Sequence, residues 1–116
     1  MRRGDIYLVA FDPATGSEPA KTRPAVIVSN NRANDIIATT GHGVLTVVPL
    51  TSNLVRVYPF QVRVPAARRT GLSTDSKAQA ELIRGVDVRR LGRRLGTVSV
   101  DTLTDIDQAL RLHLVL

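Results

Sequence analysis

Residues 23–30, Arg-Pro-Ala-Val-Ile-Val-Ser-Asn, begin with a cation and a proline, continue through β-branched residues and end in polar turn residues. Pro24 fixes its own φ at about −65° and favours an extended conformation at Arg23. Val26, Ile27 and Val28 suit a buried, pleated strand. The stretch therefore predicts a strand with an arginine held at its entrance. Many arginines at strand ends are only solvated, so this stretch alone does not assign Arg23 a function.

The chain is basic, and its positive charge comes almost entirely from arginine. Its 116 residues carry a formal net charge of +6, and Lys21 and Lys77 are the only lysines. Arginine forks match phosphate geometry, so an arginine-rich domain favours an anionic partner, with nucleic acid first and an acidic protein second. The competing explanation is codon usage in a GC-rich genome. The length predicts a single domain over residues 1–116.

Cysteine is absent, which excludes disulfide scaffolds, cysteine-based zinc sites and thiol nucleophiles. His42 and His113 are the only histidines and lie far apart, so we expect no metal site and no cofactor. We interpret His42, between two glycines, as a solvated turn residue. The apolar run at residues 6–11 is too short for a signal peptide, and no window approaches a membrane span. These patterns favour a cytoplasmic protein.

Short apolar runs in the first half of the chain predict three strands, at Ile6–Phe11, Pro24–Ser29 and Val44–Pro49. A long polar loop, Asp12–Thr22, joins the first two, and loops of that length are often functional. After the second strand we expect one helical turn at residues 30–34 and an irregular excursion at residues 36–43.

The second half of the chain predicts further short strands and one clear helix. Residues 60–64 alternate apolar and polar, as in a half-exposed strand, and residues 66–71 form a basic connector. Residues 74–83 favour a strand, with a helix as the competing prediction. A helical turn is expected at residues 86–91 and a brief strand at residues 97–98.

Ser99 is a suitable N-cap for the terminal helix, and Leu103, Ile106, Leu110 and His113 follow at helical spacing. On that stripe, His113 is predicted to be a packed structural histidine. The pattern as a whole is mainly β: a small barrel or strongly bent antiparallel sheet, with the C-terminal helix on one face.

Polar groups that suit phosphodiester chemistry stand at the loop–strand junctions. They are Glu18, Arg23, the pair Thr51-Ser52 and the pair Asp75-Ser76. If the strands pair antiparallel, their ends converge on one rim of the sheet. A cation there stabilises charge on phosphorus, a hydroxyl donates to a phosphoryl oxygen and a carboxylate takes a proton from the nucleophile. With RNA, the nucleophile can be the substrate's own 2′-OH.

These junctions carry a resemblance to the MazF/PemK family of toxin endoribonucleases, in order and over nearly the whole chain. The matching segments are Gly4–Tyr7, Asp12-Pro13, Gly16–Glu18, Arg23–Ser29, Val48–Ser52, Tyr58–Val62, Asp75–Gln79, Ile83-Arg84 and the closing helix. The resemblance implies an SH3-like barrel that forms a homodimer. It also implies metal-independent cleavage of single-stranded RNA, leaving a 2′,3′-cyclic phosphate and a 5′-OH.

The resemblance also assigns residues. The family's catalytic arginine falls on Arg23, its catalytic threonine on Thr51 and its loop glutamate on Glu18. Asp75 matches an aspartate that some members use. This chain departs from other members at Ser17, where some carry histidine, and near Ser73, where some carry arginine, so roles of those side chains do not transfer.

Arginine is a poor general base because its pKa lies above about 12. We therefore predict that Arg23 stabilises charge and protonates the leaving oxygen, that Glu18 or a water is the base, and that Thr51 holds the phosphate. The RNA-binding residues are predicted from the remaining basic and polar side chains: Ser52, Arg56, Arg68, Arg69, Asp75 and Lys77.

Family members pair with a small antitoxin whose acidic, partly disordered tail folds across the groove, and the +6 charge of this chain suits such a partner. The resemblance places the protein in the bacterial cytoplasm. Two alternatives stay open: a non-catalytic module on the same fold, for example a gyrase poison, and an inactive partner of an antitoxin. Retention of both Arg23 and Thr51 favours the ribonuclease.

Overall fold

A computed structural model describes residues 1–12 and 21–116 of the chain. The strands are β1 (Asp5–Ala10), β2 (Thr22–Ile27), β3 (Val44–Thr51), β4 (Gln61–Val64), β5 (Ser76–Gln79), β6 (Arg84–Asp87) and β7 (Leu91–Thr97). The α-helices are α1 (Asn31–Thr40) and α2 (Val100–Leu114), and 3₁₀ turns span Ala80–Leu82 and Val88–Arg90. No helix in the described ranges is long and apolar enough to cross a membrane.

β3 is the strand on which the sheet is assembled. One of its edges pairs antiparallel with β2, and its other edge pairs with β6 along residues 44–47 and with β5 at residues 50–51. The strand order is β4-β5-β3-β2-β1-β7, with β6 beside β3. The antiparallel sheet with a C-terminal helix confirms the predicted fold class, and the strands predicted first, β1, β2 and β3, are all present.

The sheet buries apolar side chains on both faces. One cluster includes Ile6, Val26 and Val48 and is covered by α2, while the other includes Val9, Ile27 and Val47 and takes in Ile37 of α1. Alternation along each strand sends successive residues to opposite faces, which explains why nearly unbroken β-branched runs are buried here.

The two ends of the sheet meet through a loop instead of through strand pairing. β4 and β7 are the outer strands, so the sheet is open, unlike a closed barrel. The N–H of Thr97 on β7 donates to the carbonyl of Arg69, in the loop after β4, at 2.9 Å. A Cβ on Gly96 would lie 2.1 Å from that same Arg69 oxygen, so a glycine is required where the loop crosses the strand.

The terminal helix begins as predicted, because the Ser99 side chain accepts a hydrogen bond from the N–H of Thr102. Ile106, Ala109 and Leu110 are buried against the sheet. The prediction for His113 is wrong: its side chain is exposed in the last turn, where its ring lies 6.2 Å from that of Phe60. The apolar stripe leaves the sheet before the helix ends.

Two elements differ from the sequence-based expectation. Residues 31–40 form a helix where one turn and an excursion were predicted; Asn30 caps its start and Gly41, with φ of 74°, ends it. Its only buried residues are Asn34 and Ile37, so a single buried apolar side chain anchors this helix to the sheet.

Residues 91–97 form strand β7, which pairs antiparallel with β1, where a connector and a brief strand were predicted. Glycines and arginines fill this outer strand, which hides its β pattern.

The stretch at residues 74–83 contains β5 and a 3₁₀ turn, so the strand prediction is confirmed only for residues 76–79. Ala78 and Ala80 are buried, while Leu82 is 46% exposed. The helical turn expected at residues 86–91 is the 3₁₀ turn at residues 88–90, which β6 precedes. His42 is exposed in a turn, as predicted.

Candidate active site

Arg23 and Thr51 stand on neighbouring strands at the same rim of the sheet. Ala25 pairs with Pro49, and continuing this register by two residues on each strand brings Arg23 opposite Thr51. Both side chains line an open cleft of about 400 Å³. The cleft is lined by Arg23, Pro24, Leu50, Thr51, Ser52, Leu72, Ser73, Thr74 and Ser76. The cleft thus brings together Arg23, Thr51, Ser52 and Ser76 from the expected set of strand-end residues, but not Asp75.

The cleft combines one exposed guanidinium with several hydroxyl groups. The Thr51 hydroxyl oxygen accepts from the N–H of Asn53 at 3.3 Å, which leaves its own proton free to donate. Ser76 donates to the carbonyl of Thr74 at 3.1 Å and fixes that wall of the cleft. A guanidinium beside hydroxyl donors suits a tetrahedral anion such as a phosphate diester.

A second hollow adjoins Arg23 on its other side. It has a volume of about 250 Å³ and is lined by Phe11, Asp12, Arg23, Pro49, Leu82 and Arg84. The Arg84 guanidinium carbon lies 5.0 Å from the centroid of the Phe11 ring. Arg23 therefore borders two spaces, and a second cation, Arg84, lines one of them.

The loop after Thr51 carries a stack of planar side chains. The rings of Tyr58 and Phe60 are 5.3 Å apart and 3° from parallel, and the Arg56 guanidinium carbon lies 5.6 Å from the centroid of the Tyr58 ring. Arg56 and Tyr58 are both exposed. Bases of single-stranded RNA stack on such guanidinium and aromatic planes.

Lys77 does not present its charge to the solvent, contrary to its predicted place in a basic groove. Its side chain is only 7% exposed, and its ammonium donates a hydrogen bond to the carbonyl of Arg56. The register places Lys77 directly opposite Thr51. A buried ammonium needs compensating hydrogen bonds, and here the partner is the loop that follows Thr51.

The remaining predicted RNA-binding residues are divided between the cleft and its surroundings. Ser52 lines the cleft. Arg68 and Arg69 are exposed in the loop that crosses β7, and neither lines the cleft. Asp75 accepts from the N–H of Ala66 at 2.7 Å and lines a separate pocket.

The structure adds three residues that were not predicted to belong to the site. Ser73 and Thr74 line the cleft, and Arg84 shares the hollow on the far side of Arg23. The run Leu-Ser-Thr-Asp-Ser at residues 72–76 was the available signal, because it concentrates hydroxyls before a strand. The predicted Glu18 lies outside the described residues.

Shifted pKa values occur on β1, β6 and β7, away from the cleft lining. Burial and the neighbouring Asp5 carboxylate raise the pKa of Tyr7. Hydrogen bonding to the Asp5 carboxylate raises the pKa of Arg94, and hydrogen bonds from Arg89 lower the pKa of Asp87. Within residues 1–12 and 21–116, no group of three or more acidic, histidine or cysteine side chains is arranged to hold a metal ion.

Comparison by sequence and comparison by structure both find proteins named as endoribonucleases. Endoribonuclease MazF9 of Mycobacterium tuberculosis is 55% identical over 114 residues, which cover 98% of this chain and 96% of that protein.

Among solved structures, an endoribonuclease in complex with its cognate antitoxin, from a mycobacterial species, superposes with a TM-score of 0.76 at 28% identity. That alignment covers 100% of this chain and 96% of the other. MazF in a MazE–MazF crystal structure from Deinococcus radiodurans gives a TM-score of 0.78 at 27% identity, with 100% and 96% covered.

The family model described as PemK-like, MazF-like toxin of type II toxin–antitoxin system matches residues 2–114. That match takes in both cleft strands and the terminal helix. The chain therefore belongs to the PemK-like, MazF-like family of toxins of type II toxin–antitoxin systems.

Proposed function

We propose that this toxin is a sequence-specific endoribonuclease that cleaves single-stranded RNA through attack by the substrate's own 2′-OH. The observation that carries the proposal is the placement of Arg23 and Thr51 side by side in one open cleft. The 55% identity with a protein named as an endoribonuclease supports the same activity.

In the proposed reaction, the 2′-oxygen loses its proton and forms a bond to phosphorus, while the bond from phosphorus to the 5′-oxygen breaks. The products are a 2′,3′-cyclic phosphate and a 5′-OH. Arg23 neutralises the charge that develops on the phosphoryl oxygens and donates a proton to the leaving 5′-oxygen. Thr51 donates a hydrogen bond to a phosphoryl oxygen. Glu18 or a water takes the proton from the 2′-OH.

RNA binding is assigned to the surfaces that border the cleft. Ser52 lines the cleft. In the loop after Thr51, Arg56 and the Tyr58 ring beneath it provide a surface on which RNA bases stack. We assign Lys77 to positioning that loop, because its ammonium is bound to the Arg56 carbonyl. Asp75 is placed beside the cleft, and Arg68 and Arg69 contact RNA that extends beyond it.

The partner is an acidic, partly disordered antitoxin whose tail covers the cleft. A net charge of +6 favours such a segment, and one relative of known structure, an endoribonuclease, is in complex with its cognate antitoxin. We further propose that residues 1–116 act as one domain, that two copies form a homodimer, and that the protein works in the bacterial cytoplasm, where its RNA substrate is found.

The test is incubation of the purified protein with a long RNA of defined sequence in excess EDTA, with DNA of the same sequence as the control. Mapping both ends of every product should reveal discrete cuts in the RNA, uncut DNA, and loss of cutting in Arg23→Ala. Absence of cutting across varied RNA sequences would reject the ribonuclease and favour a non-catalytic toxin, to be tested on DNA gyrase.

A further inference from the structure

A separate pocket adjoins the cleft and has the chemistry of a nucleobase site. Its volume is about 260 Å³, and its lining consists of Leu54, Arg63, Val64, Pro65, Asp75 and Ser76. Ser76 also lines the cleft, so the two spaces share a wall. We call this space the side pocket.

The side pocket has an apolar floor and a polar rim of opposite charges. Leu54 and Pro65 supply accessible apolar surface, on which the flat face of a base packs favourably, while Val64, also in the lining, is fully buried. Arg63 and Asp75 supply one cation and one carboxylate. Both are exposed, and the Arg63 side chain makes no hydrogen bond to any residue in the described ranges. This pair therefore offers one set of donors and one acceptor to an incoming ligand.

The Asp75 carboxylate is fixed in its orientation. One of its oxygens accepts from the N–H of Ala66 at 2.7 Å, while no described residue donates to the other oxygen. Arg63 stands in the same row of the sheet as Lys77, which stands opposite Thr51. The strand register thus links the side pocket to the proposed phosphate site by two adjacent strand pairings.

We propose that the side pocket binds the base of a nucleotide next to the scissile phosphate and selects a base with an exocyclic amino group. This inference rests on the proposed function and specifies its substrate. A carboxylate oxygen accepts from an amino group, whereas it is repelled by a carbonyl oxygen. Cytosine presents its N4 amino group where uracil presents a carbonyl oxygen, and Arg63 donates to a neighbouring ring nitrogen or carbonyl.

Cytosine and uracil are a matched pair for the test because they have nearly the same size. The purified toxin is given a single-stranded RNA library with random positions around the cut site, and all products are sequenced. At one position flanking the cut, wild-type protein should prefer cytosine to uracil by roughly tenfold or more. The absence of an amino-base preference at every flanking position would overturn the inference.

Asp75→Asn tests the carboxylate without removing the loop contact, because its amide oxygen still accepts from Ala66. The preference for cytosine should fall to within about threefold, while cutting at uracil-containing sites is retained or improved. Equal losses on all substrates would mean that Asp75 only braces the loop and would overturn the inference. Arg32→Gln, on an exposed face of α1, is the control and should leave the preference unchanged.

A second variant and a binding measurement cover the remaining outcomes. Leu54→Trp fills the side pocket, so it should slow cleavage of the preferred substrate at least about tenfold. It should spare a substrate that is abasic at that position, and equal losses on both substrates would contradict the inference.

If the wild-type protein cuts no RNA, the proposed function fails. Fluorescence anisotropy with labelled oligo(rC) and oligo(rU) then decides the inference separately: only tighter binding of oligo(rC), lost in Asp75→Asn, would support it.

Discussion

Lys77 and Arg56 are joined by a hydrogen bond from the buried ammonium of the first to the backbone carbonyl of the second. Lys77 also stands opposite Thr51 in the register of β3 and β5. The loop that leaves Thr51 is therefore tied back to the strand next to it. A hydrogen bond from a charged donor contributes about 1.5–3 kcal/mol, enough to select one conformation of a short loop.

Replacing Lys77 by Met should remove this tie while retaining side-chain length. We expect kcat to fall roughly tenfold with a smaller change in KM, because misplacement of Thr51 affects the reaction more than binding. Hydrogen exchange at residues 53–58 should become faster. Lys77→Arg, which keeps a charged donor, should restore most of the rate.

A direct phosphate contact by Lys77 makes a different prediction. In that case Lys77→Met would weaken RNA binding, and the slope of log K against log salt would become shallower by about one, while loop exchange stayed unchanged. That combination would contradict the positioning role.

Removing the Arg23 guanidinium should abolish most of the catalysis without affecting the fold. Arg23→Ala should lower kcat by roughly 10²–10³-fold, the range seen when one transition-state donor is lost. Arg23→Lys should recover only part of the rate, since it cannot bind two phosphoryl oxygens with a fork. The thermal midpoint should stay within about 2 °C, because Arg23 is exposed at the entrance of its strand. An Arg23→Ala protein as active as Arg32→Gln would contradict the assignment.

The cleavage rate should depend on the Thr51 hydroxyl and not on the Thr51 methyl group. We expect Thr51→Ser to retain activity within about threefold and the isosteric Thr51→Val to lose roughly tenfold to a hundredfold, because a charge-assisted hydrogen bond to the phosphate is missing. Single-turnover cleavage rates of the two variants compare these effects directly. Equal rates for Thr51→Val and wild type would remove Thr51 from the reaction.

Gly96 should be required for the stability of the fold at the point where the loop after β4 crosses β7. A Cβ there would lie 2.1 Å from the Arg69 carbonyl oxygen, so Gly96→Ala forces the loop or the strand to move. We expect a loss of about 1–3 kcal/mol in the free energy of unfolding, measured by urea denaturation. Gly92→Ala, on the same strand, meets its nearest atom at 3.3 Å and should lose much less. Equal losses in both variants would show that the crossing does not depend on glycine.

The central part of the fold was predictable because its strands are apolar runs bounded by glycine, proline and polar residues. β2 and α2 were clear for this reason, and Ser99 marked the start of the helix. α1 and β7 were not clear, because tertiary contacts stabilise them where local pattern does not. Asn34 of α1, for example, is fully buried, and its side-chain amide donates hydrogen bonds to Ser29 and Asn31. A hydrophobic periodicity in the sequence does not identify such a buried polar residue.

The site residues at strand ends could be predicted from the sequence. The residues whose role depends on being buried by a distant segment could not. Arg23 precedes one apolar run and Thr51 follows another, so antiparallel pairing of the two strands was enough to bring them together. Lys77 belongs to an alternating strand pattern that predicts an exposed side chain, yet the loop after Thr51 covers it. The side pocket joins residues 54, 63–65 and 75–76, which no local motif connects.

The most direct measurement concerns the nucleophile. Once a cut site is mapped, a short RNA is made with a single 2′-deoxy nucleotide on the 5′ side of the scissile phosphate, and the all-RNA strand is the control. In excess EDTA, we expect the control to be cut to a 2′,3′-cyclic phosphate and a 5′-OH, while the substituted strand stays intact. Cleavage of the substituted strand at a comparable rate, or products with a 5′-phosphate, would contradict attack by the 2′-OH and the roles proposed for Arg23 and Thr51.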